Sequence, residues 1–329
     1  MPLTLSNPPV PSDWTPQTVF SDPGEHAALF DEMSPQRLTS LRDGLKAALE
    51  TGAIGAVGVI IALQVSPILK TFGATRETYA ETRAHILAQH LGVRTETVDI
   101  APALAAIGCY RHRDAAVRNA LPEYGEGWKF KIVIDGGTEG RINRFRLIAE
   151  SQDGVRHERE LALADYLTIV AATNFKQRIR KTLEYFHADR LNYAVVGTPN
   201  RVEYDQGFFV KNGDGSADVK PIAHLYKSQV YGMARFLGLP ERVCAAIPTT
   251  DTYSLSQGQD EFYFALPYQQ MDLALWSLNH DVPAADLAID LGISEAQAQA
   301  VYDDIRNKRR TTRYLHLPPV LVSEVAELE

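Results

Sequence analysis

The chain has 329 residues, 45% of them hydrophobic and 22% charged, which is the balance of a globular protein with a sizeable core. A formal charge of −8, from 33 basic and 41 acidic residues, argues against a surface built to hold nucleic acid. The longest apolar run, residues 53–63, is about half of the ~20 residues that cross a membrane, and no charged-then-apolar leader opens the chain, so a cytoplasmic protein without a membrane segment is expected.

Residues 1–35 are rich in prolines and polar turn formers without a sustained period, and read as an N-terminal arm; residues 36–329 read as a single α/β domain. Leu38, Leu41, Leu45 and Leu49 recur at helical spacing, predicting a helix over 35–51, and the β-rich run 53–63 suits a buried parallel strand. A helical stretch over 77–91 stops at Gly92, a suitable C-terminal cap, and a strand is predicted over 94–100, completing one βαβ unit. Residues 129–160 show strand-like runs broken by Asp135-Gly136-Gly137-Thr138 and Gln152-Asp153-Gly154, predicting a small antiparallel insertion, a lid or an interface flap.

From residue 161 the pattern is helical to about 188, followed by a strand over 193–196 and a polar loop to Lys220. Helices are then predicted over 224–237 and 260–278, with a final pair between 282 and 309; residues 280–316 form these last helices and a basic tail. Cys109 and Cys244 offer neither a disulfide framework nor a metal-ligand spacing, and read as buried free thiols.

Polar clusters fall at the ends of these elements between residues 174 and 272, where side chains can converge on a cleft outside strand C-termini. Asn174-Phe175-Lys176-Gln177-Arg178-Ile179-Arg180 lies on a helix, and Gly197-Thr198-Pro199-Asn200-Arg201-Val202-Glu203 follows a strand. A glycine-rich loop from Gly207 to Asp218 comes next, then Pro221 to Val230 reading PIAHLYKSQV, Pro248-Thr249-Thr250-Asp251, and Gln259-Asp260-Glu261 with Tyr268 and Asp272. In this order the motifs resemble those of the ATP-dependent NAD synthetases, members of the N-type ATP pyrophosphatases. They cover, with their surrounding elements, roughly the last two thirds of the chain.

The resemblance implies a Rossmann-like α/β fold of the adenine nucleotide alpha-hydrolase kind: a parallel sheet with helices on both faces, carrying the antiparallel insertion. It implies a carbon-nitrogen ligase in which ATP adenylates the nicotinate carboxylate of deamido-NAD, pyrophosphate leaves, and ammonia displaces AMP to give NAD. Two polyanions brought together need Mg²⁺ and fixed cations. By motif, Glu203 is the metal ligand, and Thr198, Thr249 and Lys227 bind ATP. Arg178, Lys211 and Asp218 hold deamido-NAD, and Lys227 and Asp214 are the candidate catalytic residues. Asn307-Lys308-Arg309-Arg310 stands where the family has Lys-His-Lys-Arg, so Lys308 and Arg309 are carried over to the dinucleotide. Free ammonia is the expected donor, since no amidase domain accompanies the ligase, and a homodimer is expected by resemblance.

Taken singly, these residues have plainer readings. Arg178 and Lys176 suit a solvated helix face, Asp214 a turn, Thr249 a helix cap, Glu203 an exposed loop, and the Lys308-Arg309-Arg310 cluster a helix end favoured by its dipole. Their joint order is what favours a site.

The family's first strand ends in Ser-Gly-Gly-x-Asp-Ser, whose backbone N–H groups face pyrophosphate. Here Gln64-Val65-Ser66-Pro67 follows the first strand, and Asp135-Gly136-Gly137-Thr138 lies in the wrong element. About one βα unit is absent before residue 95. Either residues are missing from the sequence between 52 and 75, or the protein is a shortened and impaired relative, or a different loop binds phosphate. The first reading is preferred, because losing a central strand with its helix would expose apolar neighbours.

Other functions compete. The scaffold could amidate a different carboxylate, or serve as a non-catalytic binding subunit. The two helices around Gly292-Ile293-Ser294 resemble a helix-turn-helix DNA reader, but Asp286, Asp290, Glu295, Asp303 and Asp304 would repel phosphate.

Overall fold

A computed structural model describes residues 60–61, 79–93, 95–135, 144–246, 253–255, 257, 263–264 and 266–323. The N-terminal arm, the helix expected over 35–51 and the segment where the pyrophosphate loop is sought, apart from Ile60 and Ile61, lie outside the described residues. So does Thr249.

Strand β1 (Ile60–Ile61) lies within the apolar run 53–63. It pairs in parallel with β5 (Val195–Val196), in the register Ile60 to Val195 and Ile61 to Val196, and a parallel bridge joins Val196 to Val219. Parallel neighbours so distant in sequence require crossover connections, as in a Rossmann-like α/β fold.

Between them come helices α1 (Tyr79–Leu91), α2 (Ala101–Ala106) and α3 (Cys109–Ala120), the antiparallel strands β2 (Lys129–Asp135), β3 (Arg144–Glu150) and β4 (Arg156–Glu160), and the long helix α4 (Leu163–Leu191). The strand predicted over 94–100 does not form, and the βαβ unit that relied on it is corrected accordingly. Residues 95–99 are exposed, and only Ile100 reaches the core, at the start of α2, where the Asp99 carboxylate accepts the Ala101 N–H at 2.9 Å. A run with a single buried side chain gains too little from burial to fix a strand.

The predicted antiparallel insertion is present as a sheet in the order β2-β3-β4. The turn after β3 uses Gly154 at φ 84°. Strand β4, Arg156-His157-Glu158-Arg159-Glu160, has no apolar residue and four Arg or Glu side chains, which suits an edge strand that must not pair further. Phe130, Ile132 and Leu147 of this sheet are buried in one cluster with Val117 of α3, Leu121 at its C-cap and Ile169 of α4. Full burial of such a side chain is worth about 1.5–3 kcal/mol. The sheet is also fastened to the segment after the Pro-Thr-Thr-Asp motif: Leu255 N–H donates to the Phe130 carbonyl at 3.1 Å, and Gln257 Nε2 to that of Ile132 at 2.7 Å.

Helix α4 buries Ile169, Ala172, Thr173 and Lys176 at helical spacing and ends at Asn192 in the left-handed conformation, φ 53°. After β5 follow α5 (Arg201–Gln206), α6 (Lys227–Phe236), α7 (Glu241–Cys244), α8 (Tyr268–Asn279), α9 (Ala284–Leu291) and α10 (Glu295–Thr312), then a 3₁₀ turn (Arg313–Leu315). Of the helix predicted over 260–278, α8 accounts for the part from Tyr268, with Pro267 at its N-cap; residues 263–264 lie in a separate π-helical turn, and residues 260–262 lie outside the described residues. Val202, Phe264, Met271, Leu275, Leu287, Ala298, Val301 and Ile305 join α5, α8, α9 and α10 in one core, so the pair proposed above as a DNA reader has its apolar face committed inward. Cys109 and Cys244 are buried free thiols, and burial pushes both up in pKa. Among the described residues, no helix is long and apolar enough to cross a membrane.

Candidate active site at the end of strand β5

The chain leaves β5 through Gly197, whose Cα faces a crowded neighbour: a Cβ there would stand 2.7 Å from Ala217 Cβ and 3.0 Å from Lys220 Cγ. Close approach is what requires glycine at this position. Thr198 follows, half-buried at the strand's C-terminal end. Asn200 then caps α5 through a reciprocal box: its Oδ1 accepts the Glu203 N–H at 3.1 Å, and Glu203 Oε2 accepts the Asn200 N–H at 3.0 Å. The box turns Glu203 from a plain loop acid into an oriented carboxylate.

Its other oxygen, Oε1, accepts the Tyr268 hydroxyl at 3.0 Å and stands 3.8 Å from Lys227 Nζ, an ion pair too long to be a hydrogen bond. The Lys227 ammonium also lies over the rings of Tyr268, at 5.1 Å, and Tyr231, at 5.9 Å. Lys227 is the first residue of α6, and that helix start is held by Asp272, whose Oδ1 accepts the Lys227 N–H at 3.1 Å and whose Oδ2 accepts the Ser228 N–H at 2.7 Å and hydroxyl at 2.6 Å. Burial raises Asp272 to about 6, against the opposing pull of these donors and of Lys227. Burial, then the charge of Glu203, holds the Tyr268 phenol protonated far above its ordinary range, so it remains a donor to that carboxylate.

A second group surrounds the glycine-rich loop. Arg178, exposed on α4, donates from Nε to the Lys211 carbonyl at 3.3 Å. Lys211 Nζ donates to the carbonyls of Tyr314, at 2.9 Å, and Leu317, at 3.5 Å, so this loop and the C-terminal tail are joined. Asp214 accepts the Val210 N–H at 2.8 Å, the turn-forming contact that its sequence context suggested. Asp218 accepts the Val195 N–H at 2.7 Å and the Tyr185 hydroxyl at 3.3 Å, tying the loop to β5; burial with this carboxylate pushes Tyr185 up to about 12. Lys220 lies 4.8 Å over Tyr204 and 5.6 Å over Phe209, and burial lowers its pKa, helped by Lys181 and opposed by Asp214.

The basic pair of α10 is engaged within the fold. Lys308 Nζ donates to the Tyr263 carbonyl and to Asp304 Oδ2, both at 2.6 Å. Arg309 grips Asp205 with two bonds, 2.6 and 2.7 Å, and donates to Asn279 Oδ1 at 2.6 Å. Thus Glu203 and Lys227 are brought into contact, Arg178 and Lys211 into a second cluster, Arg309 onto the flank of α5 through Asp205, and Lys308 against Tyr263 and Asp304. Sequence reasoning gave no role to Tyr268, Asp272, Asp205 or Lys220. Tyr268 and Asp272 did carry a signal, since positions i and i+4 of a helix share one face.

The profile of the NAD synthase family matches residues 148–314. The NH(3)-dependent NAD(+) synthetase of Rhizobium meliloti (strain 1021) is 49% identical over 300 residues, covering 89% of this chain and 90% of that protein. That of Mesorhizobium japonicum is 52% identical over 242 residues, 73% of this chain and 76% of its own length. The chain belongs to the NAD synthase family. Its α/β fold is shared with the NMN synthetase of Francisella tularensis, at a TM-score of 0.53 and 18% identity over 88% of this chain and 98% of that one. It is shared also with an NH3-dependent NAD synthetase of Campylobacter jejuni, at 0.51 and 17% over 87% and 99%. The NAD synthase match spans every candidate site residue from Arg178 to Arg309.

Proposed function

We propose that this protein is an ammonia-dependent NAD synthetase: it adenylates the nicotinate carboxylate of deamido-NAD with ATP, releases pyrophosphate, and lets ammonia displace AMP to form the amide of NAD. Membership of the NAD synthase family supports the reaction. The observation that carries the site is the convergence of Glu203 and Lys227, 3.8 Å apart, beside the C-terminal end of β5. A cleft outside the strand ends is where an open α/β sheet receives nucleotides.

Mg²⁺ fits the donor set. Each Glu203 oxygen takes one protein hydrogen bond and keeps acceptor capacity, and Mg²⁺ is ordinarily held by one or two carboxylates together with substrate phosphates. Glu203 is the residue that would hold it, and the ion would neutralise charge on ATP as pyrophosphate departs. Lys227 supplies a fixed positive charge to the phosphates where negative charge grows. Thr198 offers its hydroxyl to ATP from the strand end, and Thr249 is assigned there by motif. Arg178, Lys211 and Asp218 hold deamido-NAD on the glycine-rich loop, with Lys308 and Arg309 reaching it from α10. Asp214, the other catalytic candidate, acts in this reading as a positioning residue, setting the loop through its bond from the Val210 N–H.

A homodimer in the cytoplasm is part of the same reading. The test incubates the purified protein with deamido-NAD, ATP, Mg²⁺ and ammonium and follows NAD and AMP. Equal amounts of both are expected. A folded protein that forms neither, or that consumes ATP only with another carboxylate, rejects the assignment; light scattering of the same sample reads the dimer.

A further inference from the structure

The contacts that fix the Glu203 and Lys227 side chains lead back to one turn of one helix. Tyr268 and Asp272 stand four residues apart on α8 and share a face. Asp272 is only 1% exposed, and both its oxygens are spent on the first two residues of α6. Helix α6 has no acid in its own first turn, so Asp272 supplies the negative charge its N-terminus favours and sets where Lys227 begins. Tyr268 acts on the opposite partner. Its hydroxyl on Oε1 and the Asn200 N–H on Oε2 stop the Glu203 carboxylate from rotating, while its ring lies under the Lys227 ammonium.

We propose that Tyr268 and Asp272 are a pair of positioning residues for the ligase reaction, Tyr268 orienting the Glu203 carboxylate toward the divalent cation and Asp272 setting Lys227 relative to the phosphates. This inference rests on the functional reading given above. Because the two residues act on different partners, their loss separates: removing the Tyr268 hydroxyl weakens the cation's hold, and neutralising Asp272 weakens turnover. A merely structural role would lower melting temperature and move both quantities together.

The test compares the intact protein with Tyr268→Phe and Asp272→Asn. Mn²⁺ is titrated in the presence of ATP, with free Mn²⁺ read by electron paramagnetic resonance, which needs no turnover; NAD formation is measured against Mg²⁺ in parallel. Tyr268→Phe is expected to raise the Mn²⁺ dissociation constant and the half-saturating Mg²⁺ about tenfold, the weight of one hydrogen bond to a charged group, with kcat at saturating Mg²⁺ within about twofold. Asp272→Asn is expected to keep the Mn²⁺ affinity and to lose about tenfold or more in kcat. Parental Mn²⁺ affinity in Tyr268→Phe overturns the first half, and parental kcat in Asp272→Asn the second. Should Asp272→Asn not fold, Ser228→Ala, which removes one donor to Asp272, takes its place: a lowered kcat is expected, and an unchanged one overturns the role of Asp272. If the unaltered protein makes no NAD, the functional reading fails separately, and the Mn²⁺ titration still decides the role of Tyr268.

Discussion

The Lys227 ammonium stands 3.8 Å from Glu203 Oε1 with the two side chains only 20% and 14% exposed, so a cation and an acid from different helices share one sheltered position. Water screens such a pair poorly, and either charge is available to a polyanion and its counter-cation. Glu203→Gln and Lys227→Met are each expected to cut kcat by about a hundredfold or more while the fold persists. Steady-state NAD formation, with circular dichroism as the folding control, checks this; a variant retaining full kcat removes that residue from the chemistry.

Arg309 holds Asp205 through two short bonds and Asn279 through a third, fastening α10 to α5 directly behind Glu203. Lysine cannot reproduce a forked contact. Arg309→Lys is expected to cost about 1–3 kcal/mol in urea unfolding, with Arg309→Ala at least as damaging. If Arg309 also reaches the dinucleotide, KM for deamido-NAD rises in both variants.

Gly197 leaves no room for a side chain, with Ala217 Cβ at 2.7 Å from the place of a Cβ. Gly197→Ala is expected to destabilise the protein by about 1–3 kcal/mol and to raise KM for ATP by displacing Thr198. Adding Ala217→Gly should return about half of the lost stability. Equal melting temperatures for the single and double variants would show that the crowding does not matter.

Asp272 gives a pH signature. Its carboxyl titrates near 6 in the folded chain, raised by burial from an ordinary 3.8. Between those values the folded state holds a proton that the unfolded state has released, so this group's contribution to stability falls as pH rises from about 4 to about 6 and is flat above. The stability difference between the parent and Asp272→Asn should therefore shrink by about 3 kcal/mol across that window, at about 1.4 kcal/mol per pH unit. Denaturant unfolding at several pH values measures it; a difference independent of pH would place the Asp272 carboxyl in the ordinary range.

The local elements were legible because they depend on neighbours in sequence. The helical pattern from residue 161 to about 188 marked α4, which spans Leu163–Leu191, and the turn at Gly154 with its flanking runs marked the antiparallel insertion. The run over 94–100 read as a strand and does not form one: only Val98 and Ile100 are apolar, and Val98 stays exposed. The motifs were legible too, as Glu203 and Lys227 were singled out from their order along the chain. What order does not contain is which oxygen meets which donor.

Sequence by itself thus determined the family and the α/β class, and drew attention to Glu203 and Lys227, because spacing and motif order are properties of the chain. Only the tertiary structure decided that Tyr268 bonds Glu203, that Asp272 anchors the start of α6, and that Lys308 and Arg309 are tied to Asp304 and Asp205. Apart from the one-turn link between Lys308 and Asp304, these contacts join separate elements, and their geometry is set by how helices pack around a shared core, a quantity that no single segment carries.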